Sequence, residues 1–283
     1  MNTDYELLDS GNERKLERFG TFTLARPSAS AIWKQSLPPS EWEQASAAFD
    51  RESGNSWIFK QQLDTWNINI ANLAFKLSIT NFGHVGIFPE QQKSWQWIQD
   101  TIKTAQPHRK TQISVLNLFA YSGGSTLAAA MAGAAVCHLD ASRGMVARAR
   151  ENAQINGLEK NPIRWIVEDV NKFLDRECRR NNHYDAIILD PPSFGRGKSG
   201  EVYKIEKDIV PTLEKCVRLL SPTPLFILLS CHTPAFTPIV LENLLSQTLG
   251  DRKGVIQSDE MFLEGKKSVM PLPSGTQASW LSS

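Results

Sequence analysis

From residue 113 onward, short apolar runs rich in β-branched residues alternate with longer helical stretches. The runs predict strands over 113–119, 136–140, 163–168, 186–190 and 225–230. Helices are expected between and after them, over 124–132, 142–156, 171–180, 203–220 and 238–249. Strands that are apolar throughout are buried on both faces, so this rhythm implies a parallel sheet covered by helices on either side. Two last runs, 255–263 and 277–281, flank a loop containing Pro271 and Pro273 and suit an antiparallel hairpin at a sheet edge.

Residues 1 to about 107 follow no such rhythm. Candidate strands over 20–24, 56–60, 68–70 and 74–79 are broken by turn residues and by Pro38 and Pro39. Six of the eight tryptophans fall here: Trp33, Trp42, Trp57, Trp66, Trp95 and Trp97. They read either as stacking platforms for nucleic-acid bases or as the core of a small domain. The second reading is favoured, because a small domain must fill its core with few residues. Residues 103–112 read as a basic linker or surface loop. The expected organisation is a small β-rich domain over 1–107 and an α/β domain over 108–283, without internal repeats.

The 283 residues are enough for two such domains. A formal charge of +1 excludes attachment to nucleic acid or anionic membrane through bulk charge alone. The four cysteines are widely spaced, with no CxxC pair, which argues against a zinc site and for a reducing compartment. The polar N-terminus does not read as a signal peptide, and no apolar run is long enough to span a bilayer. The cytoplasm is the expected location.

In open α/β sheets, ligands bind beyond the carboxyl ends of the strands. The first strand of the α/β half delivers Gly123 and Gly124 at a turn into a helix, where a ligand can approach backbone N–H groups. A paired glycine can equally serve packing alone. The second strand ends in Asp140, 17 residues after Gly123, where a carboxylate can accept hydrogen bonds from ribose hydroxyls. The competing role is a helix N-cap, for which Ser142 is a rival. Loop and acid together point to an adenosine-type cofactor. The third strand ends near Asp169 and Val170, candidates for an adenine amine and ring; a solvated turn acid fits Asp169 as well. The fourth delivers Asp190, Pro191, Pro192, Ser193 and Phe194, a rigid polar rim able to hold a planar group. The loop after it, with Arg196 and Lys198, suits a lid or phosphate-facing segment, or a mobile surface turn.

These residues resemble class I S-adenosylmethionine-dependent methyltransferases, and within them the branch of the ribosomal RNA large-subunit cytosine-C5 enzymes. The matching pieces are Asn-Leu-Phe-Ala-Tyr-Ser-Gly-Gly at 117–124, Leu-Asp-Ala-Ser at 139–142 and Ala-Arg-Glu-Asn at 149–152 with Asn-Gly-Leu at 156–158. Val-Glu-Asp-Val at 167–170, Asp-Pro-Pro-Ser-Phe at 190–194 and Gly-Ile-Phe-Pro-Glu-Gln at 86–91 complete the set. The resemblance implies a Rossmann-like seven-stranded sheet with its last strand antiparallel. It implies S-adenosylmethionine with its methionine end near Phe119, Ala120, Tyr121, Gly123 and Gly124. The ribose falls to Asp140, beside Ala141 and Ser142, and the adenine to Asp169 and Val170. The sulfonium faces Asp190 and Pro191, and Phe88 and Gln91 close the pocket. Pro192, Phe194, Arg196 and Lys198 are then candidates for the substrate, with RNA as the implied class. Cytosine-C5 chemistry also needs a nucleophilic thiolate. Cys231 is the candidate, with His232 able to lower its pKa; a small packing residue is the other reading. An NAD-type oxidoreductase on the same fold and a non-catalytic RNA- or protein-binding scaffold are the alternatives.

Overall fold

The computed structural model describes residues 3–50, 54–197, 200–266 and 268–283. The chain forms two compact units, Met1–Lys93 with Met261–Ser274, and Ser94–Glu260 with Gly275–Ser283.

The first unit is built on β1 (Tyr5–Gly11), β2 (Arg14–Phe19), β3 (Phe22–Pro27), the short helix α1 (Pro39–Glu43), β4 (Ala47–Asp50) and β5 (Ser56–Phe59). These strands form a five-stranded sheet in the order β1-β2-β3-β4-β5. A separate hairpin pairs β6 (Trp66–Ile70) with β7 (Leu73–Leu77). Asn12 and Glu13 join β1 to β2 with φ of 51° and 58°, the left-handed pair that a two-residue hairpin turn requires. Ala71 and Asn72 do the same for β6 and β7. The strands β1 and β2 escape the hydrophobic pattern because they bury acids. Asp9 accepts hydrogen bonds from the Ser36 and Leu37 amides and from Trp42 Nε1. Glu17 lies among Tyr5, Lys15 and Arg26.

None of the six tryptophans of the N-terminal region is exposed. The indole N–H groups of Trp33, Trp42, Trp57 and Trp66 donate to Ser10 O, Asp9 Oδ2, Thr80 O and Phe19 O. They are core and scaffold residues.

The second unit holds all but the first two residues of α2 (Gln92–Ala105), followed by β8 (Ser114–Leu118), α3 (Gly124–Met131), β9 (Ala135–Asp140) and α4 (Arg143–Ile155). Then come β10 (Ile163–Val167), α5 (Val170–Arg179), β11 (Ala186–Leu189), the small strands β12 (Phe194–Arg196) and β13 (Val202–Lys204), and α6 (Ile205–Arg218). The chain ends with β14 (Phe226–Cys231), α7 (Pro238–Leu249), β15 (Gly254–Leu263) and β16 (Leu272–Ser282). Residues 103–105, expected in a linker, complete α2, whose apolar positions Trp95, Ile98 and Ile102 are buried.

The large sheet has seven strands in the order β10-β9-β8-β11-β14-β16-β15. Strands β10, β9, β8, β11 and β14 pair in parallel, and β16 runs antiparallel to β14. The two last strands lie side by side at one end of the sheet, as expected, with β16 next to β14 and β15 outermost. Leu116, Leu118, Ile187, Leu189, Ile227 and Leu229 are buried at the centre, covered by side chains such as Phe173, Leu213 and Leu245. From β8 the chain winds outward to β9 and β10, then returns to β11 on the other side of β8. The strand order therefore reverses between β8 and β11, the place where open α/β sheets bind ligands beyond their carboxyl ends.

Candidate active site

The loop after β8 holds Phe119 at φ 55°, Tyr121 at φ 50° and Gly123 at φ 93°. A left-handed conformation costs a non-glycine residue about 1–2 kcal/mol, so the surroundings must enforce it. Asp140, at the end of β9, does so: its Oδ2 accepts the Tyr121 N–H at 2.9 Å and its Oδ1 the Ser142 N–H at 2.8 Å. Ala120 N–H donates to Leu139 O, Gly123 N–H to Ala120 O, and Asn152 Nδ2 to Ser122 O. Of the amides at the glycine turn, that of Gly123 is used within the fold, as are those of Ala120 and Tyr121 before it.

The two glycines also have packing duties. A Cβ on Gly124 would lie 2.5 Å from the buried Trp95 ring, and one on Gly123 would lie 3.0 Å from Ala149 Cβ. The bare Cα of Gly124 thus makes room for the Trp95 indole.

Beneath the loop lies a polar chain that the sequence reading missed. Asn117 Nδ2 donates to Thr126 Oγ1 at 2.9 Å, and Thr126 Oγ1 lies 2.9 Å from His138 Nδ1. His138 is fully buried on β9, with Trp165 packed against its ring at 4.8 Å. Burial, with Arg150 nearby, drives its pKa down to about 3. The unfolded chain therefore binds a proton at this site between the ordinary histidine value and about 3, whereas the folded chain does not. Stability attributable to this site is present above pH 6.5 and decreases as pH falls. About 2 kcal/mol is expected to be lost by pH 5. Urea titrations at pH 7.5 and pH 5 should show that loss, and it should shrink in His138→Asn. Equal pH dependence of the two proteins would refute this assignment.

Asp140 is not an N-cap; Ser142 caps α4, accepting the Met145 N–H, and Ala141 lies between them half-buried. Asp169 does cap a helix: its Oδ1 accepts the Lys172 N–H at 3.0 Å at the start of α5, whose first residue, Val170, is buried. Arg176 holds the neighbouring Glu168 with two hydrogen bonds.

Asp190 and buried Pro191 follow β11, while Pro192, Phe194 and Arg196 are exposed. The segment expected as an irregular loop is instead a β-ribbon, with Phe194 opposite Lys204 and Arg196 opposite Val202. Buried Tyr203 anchors the ribbon, its ring edge-on to Phe119 at 5.0 Å, and Glu201 pairs with Lys172. The Arg196 guanidinium lies over the Phe194 ring at 5.6 Å. Lys198 lies outside the described residues.

Beside Asp190 is the end of β14. His232 Nε2 lies 3.7 Å from Asp190 Oδ1, and Ser193 Oγ lies 2.7 Å from Thr233 Oγ1. Cys231 is the last residue of β14 and 1% exposed. Its Sγ accepts the Thr233 N–H at 3.4 Å. Burial pushes the thiol up, the Asp190 and Glu206 carboxylates push the same way, and bonding to Thr233 only partly offsets them. His232, expected to lower the thiol pKa, places its imidazole against Asp190, and the thiol pKa is raised. Phe88 and Gln91 belong to the first unit, where Phe88 packs edge-on to His84 and Gln91 is buried in a short 3-10 turn, Pro89–Gln91. Among the described residues no group of three His, Cys, Asp or Glu is placed to hold a metal ion, and no helix is long and apolar enough to cross a membrane.

The Asp140 carboxylate gives two of its roughly four acceptor positions to the protein, which leaves room for two vicinal hydroxyls. A bent loop after β8, a half-buried acid after β9 and the reversal of strand order together fit a nucleoside cofactor. They define an α/β enzyme of the nucleoside-cofactor class. The chain belongs to the S-adenosylmethionine-dependent methyltransferase family, whose model matches residues 26–251.

The crystal structure of a SAM-dependent methyltransferase from Agrobacterium tumefaciens is 36% identical, with a TM-score of 0.93 over 99% of this chain and 91% of that one. The structure of SMU.776 complexed with SAH shares the fold at 20% identity, with a TM-score of 0.76 over 99% of this chain and 76% of that one. Ribosomal RNA large subunit methyltransferase K/L of Shewanella baltica is 31% identical over 180 residues, 62% of this chain and 24% of that protein. Its namesake from Pseudoalteromonas atlantica is 35% identical over 150 residues, 52% of this chain and 20% of that protein. The chain thus spans about a quarter of the length of these curated relatives. Membership in this family sets aside the oxidoreductase alternative.

Proposed function

We propose that this methyltransferase acts on RNA, with ribosomal RNA as the leading class, and that it works in the cytoplasm. The observation that carries the reading is the exposed Phe194 ring with the Arg196 guanidinium over it, on a ribbon that begins four residues after Asp190. An aromatic face can stack on a base, and a guanidinium beside it can meet a phosphate. The names of the relatives from Shewanella baltica and Pseudoalteromonas atlantica point the same way.

S-adenosylmethionine, when bound, supplies a methyl group activated by the sulfonium. In this reading Asp140 holds the ribose, the loop over 119–124 lines the methionine end, and Asp169 and Val170 border the adenine. Asp190, Pro191 and Pro192 set the target group in line with the methyl group. Alignment of this kind can lower a barrier by ~7–11 kcal/mol.

The test is transfer of tritiated methyl groups into RNA, protein and small-molecule fractions from cells that lack the protein. Label is expected in RNA, in ribosomal species first. It should fall at least tenfold when Phe194 and Arg196 are both replaced by Ala while SAH binding persists. Label confined to protein or small molecules would overturn the RNA reading.

A further inference from the structure

Two observations of the second unit leave Cys231 poorly placed and His232 well placed for chemistry at Asp190. Cys231 is buried at the end of β14, and its sulfur accepts a backbone hydrogen bond. His232, the next residue, is one-third exposed and places Nε2 3.7 Å from Asp190 Oδ1. That is ion-pair range, longer than a hydrogen bond. An imidazole beside a carboxylate is suited to taking a proton, because the carboxylate stabilises the imidazolium that forms.

We propose that His232 accepts the proton lost by a nitrogen or oxygen target during methyl transfer, with Asp190 holding and stabilising the ring. This rests on the reading above that Asp190 borders the target. The target lone pair forms the new bond to the methyl carbon, and the breaking C–S pair stays on the departing thioether. The target N–H or O–H proton passes to His232 and from there to water. The product is a neutral methylated heteroatom, and no covalent bond to Cys231 is formed.

Charged and titratable groups near this centre include Asp190 from the end of β11 and Cys231 on β14, with Glu206 on α6 and Tyr203 on β13 both interacting with Cys231. Acceptance requires the neutral ring, so the rate should fall as pH drops and the imidazole protonates.

The experiment uses whichever extract fraction accepts the tritiated methyl group from the wild-type protein. His232→Gln should lower the transfer rate about 10²-fold and flatten the acidic limb of the pH profile, with SAH affinity and melting temperature unchanged. The exposed His108→Gln should alter neither rate nor profile. A second readout is independent of turnover: diethyl pyrocarbonate should modify His232 in the free protein, and acceptor plus SAH should block that modification. Nucleoside or residue mass spectrometry should place the new methyl group on nitrogen or oxygen. His232→Gln with a wild-type rate and an intact acidic limb would overturn the proposal, as would methyl groups found on cytosine C5. Label in protein with the His232 effects intact would overturn the RNA reading and leave His232 supported.

Discussion

Asp140→Ala should weaken SAH binding by about 10²–10⁴-fold. Hydrogen bonds to a charged acceptor contribute about 1.5–3 kcal/mol each, and two ribose hydroxyls would be lost together. The same substitution removes the acceptor of the Tyr121 and Ser142 amides, so the left-handed loop loses the group that enforces it. Calorimetry of SAH binding measures the first effect directly. A change below fivefold would show that the ribose lies elsewhere.

The pH dependence is more diagnostic than the magnitude. Burial raises the Asp140 pKa, and the Ser142 and Tyr121 N–H groups pull it only partly back. The folded carboxyl therefore keeps its proton in a window where the unfolded chain has lost it. Through that window, upward from the ordinary aspartate value, the folding stability attributable to this site decreases as pH rises. SAH affinity should move the other way, because hydroxyl donors need the ionised form. Asp140→Asn should remove both trends. Affinity and stability moving in the same direction in wild type would contradict the assignment.

The α/β half was legible because a parallel strand buried on both faces must be apolar along its whole length, as Ala186–Leu189 and Phe226–Cys231 are. Asp140 and Asp190 were legible for the converse reason: an acid directly after such a strand lies at the sheet's carboxyl edge. What stayed hidden is polarity inside the fold. His138 lies within an apolar run and gives no outward sign of its bond to Thr126. Gly124 reads as a ligand-facing glycine, yet the group that requires it is Trp95, far off in sequence. The ribbon after Asp190 is glycine-rich, and its pairing depends on Tyr203 packing against Phe119. In the first unit, β1 and β2 carry so many charges that they resemble a surface loop, because their burial depends on partners no local pattern reveals.

Arg26→Met should therefore cost ~3–5 kcal/mol, the cost of leaving a buried charge without its partner. Glu17 is fully buried on β2. It accepts hydrogen bonds from Arg26 Nε at 2.8 Å and Tyr5 Oη at 3.0 Å, has Arg26 Nη2 at 2.6 Å, and has Lys15 at 3.3 Å. Desolvation pushes its pKa up, but Arg26 and Lys15 together with these hydrogen bonds pull harder, and the carboxyl ends below its ordinary value. A lowered acid contributes stability above the unfolded-state pKa and loses it as pH falls through the folded one. Without Arg26 that balance reverses and desolvation prevails, so Glu17 should take up a proton well above the wild-type value. The deficit of Arg26→Met, measured by urea titration, should be largest near neutrality and shrink toward pH 4. The double variant Arg26→Met with Glu17→Leu should recover part of the loss, since it leaves no unpaired charge behind. A single-variant loss under 1 kcal/mol, or a deficit independent of pH, would mean that the pair does not organise this sheet.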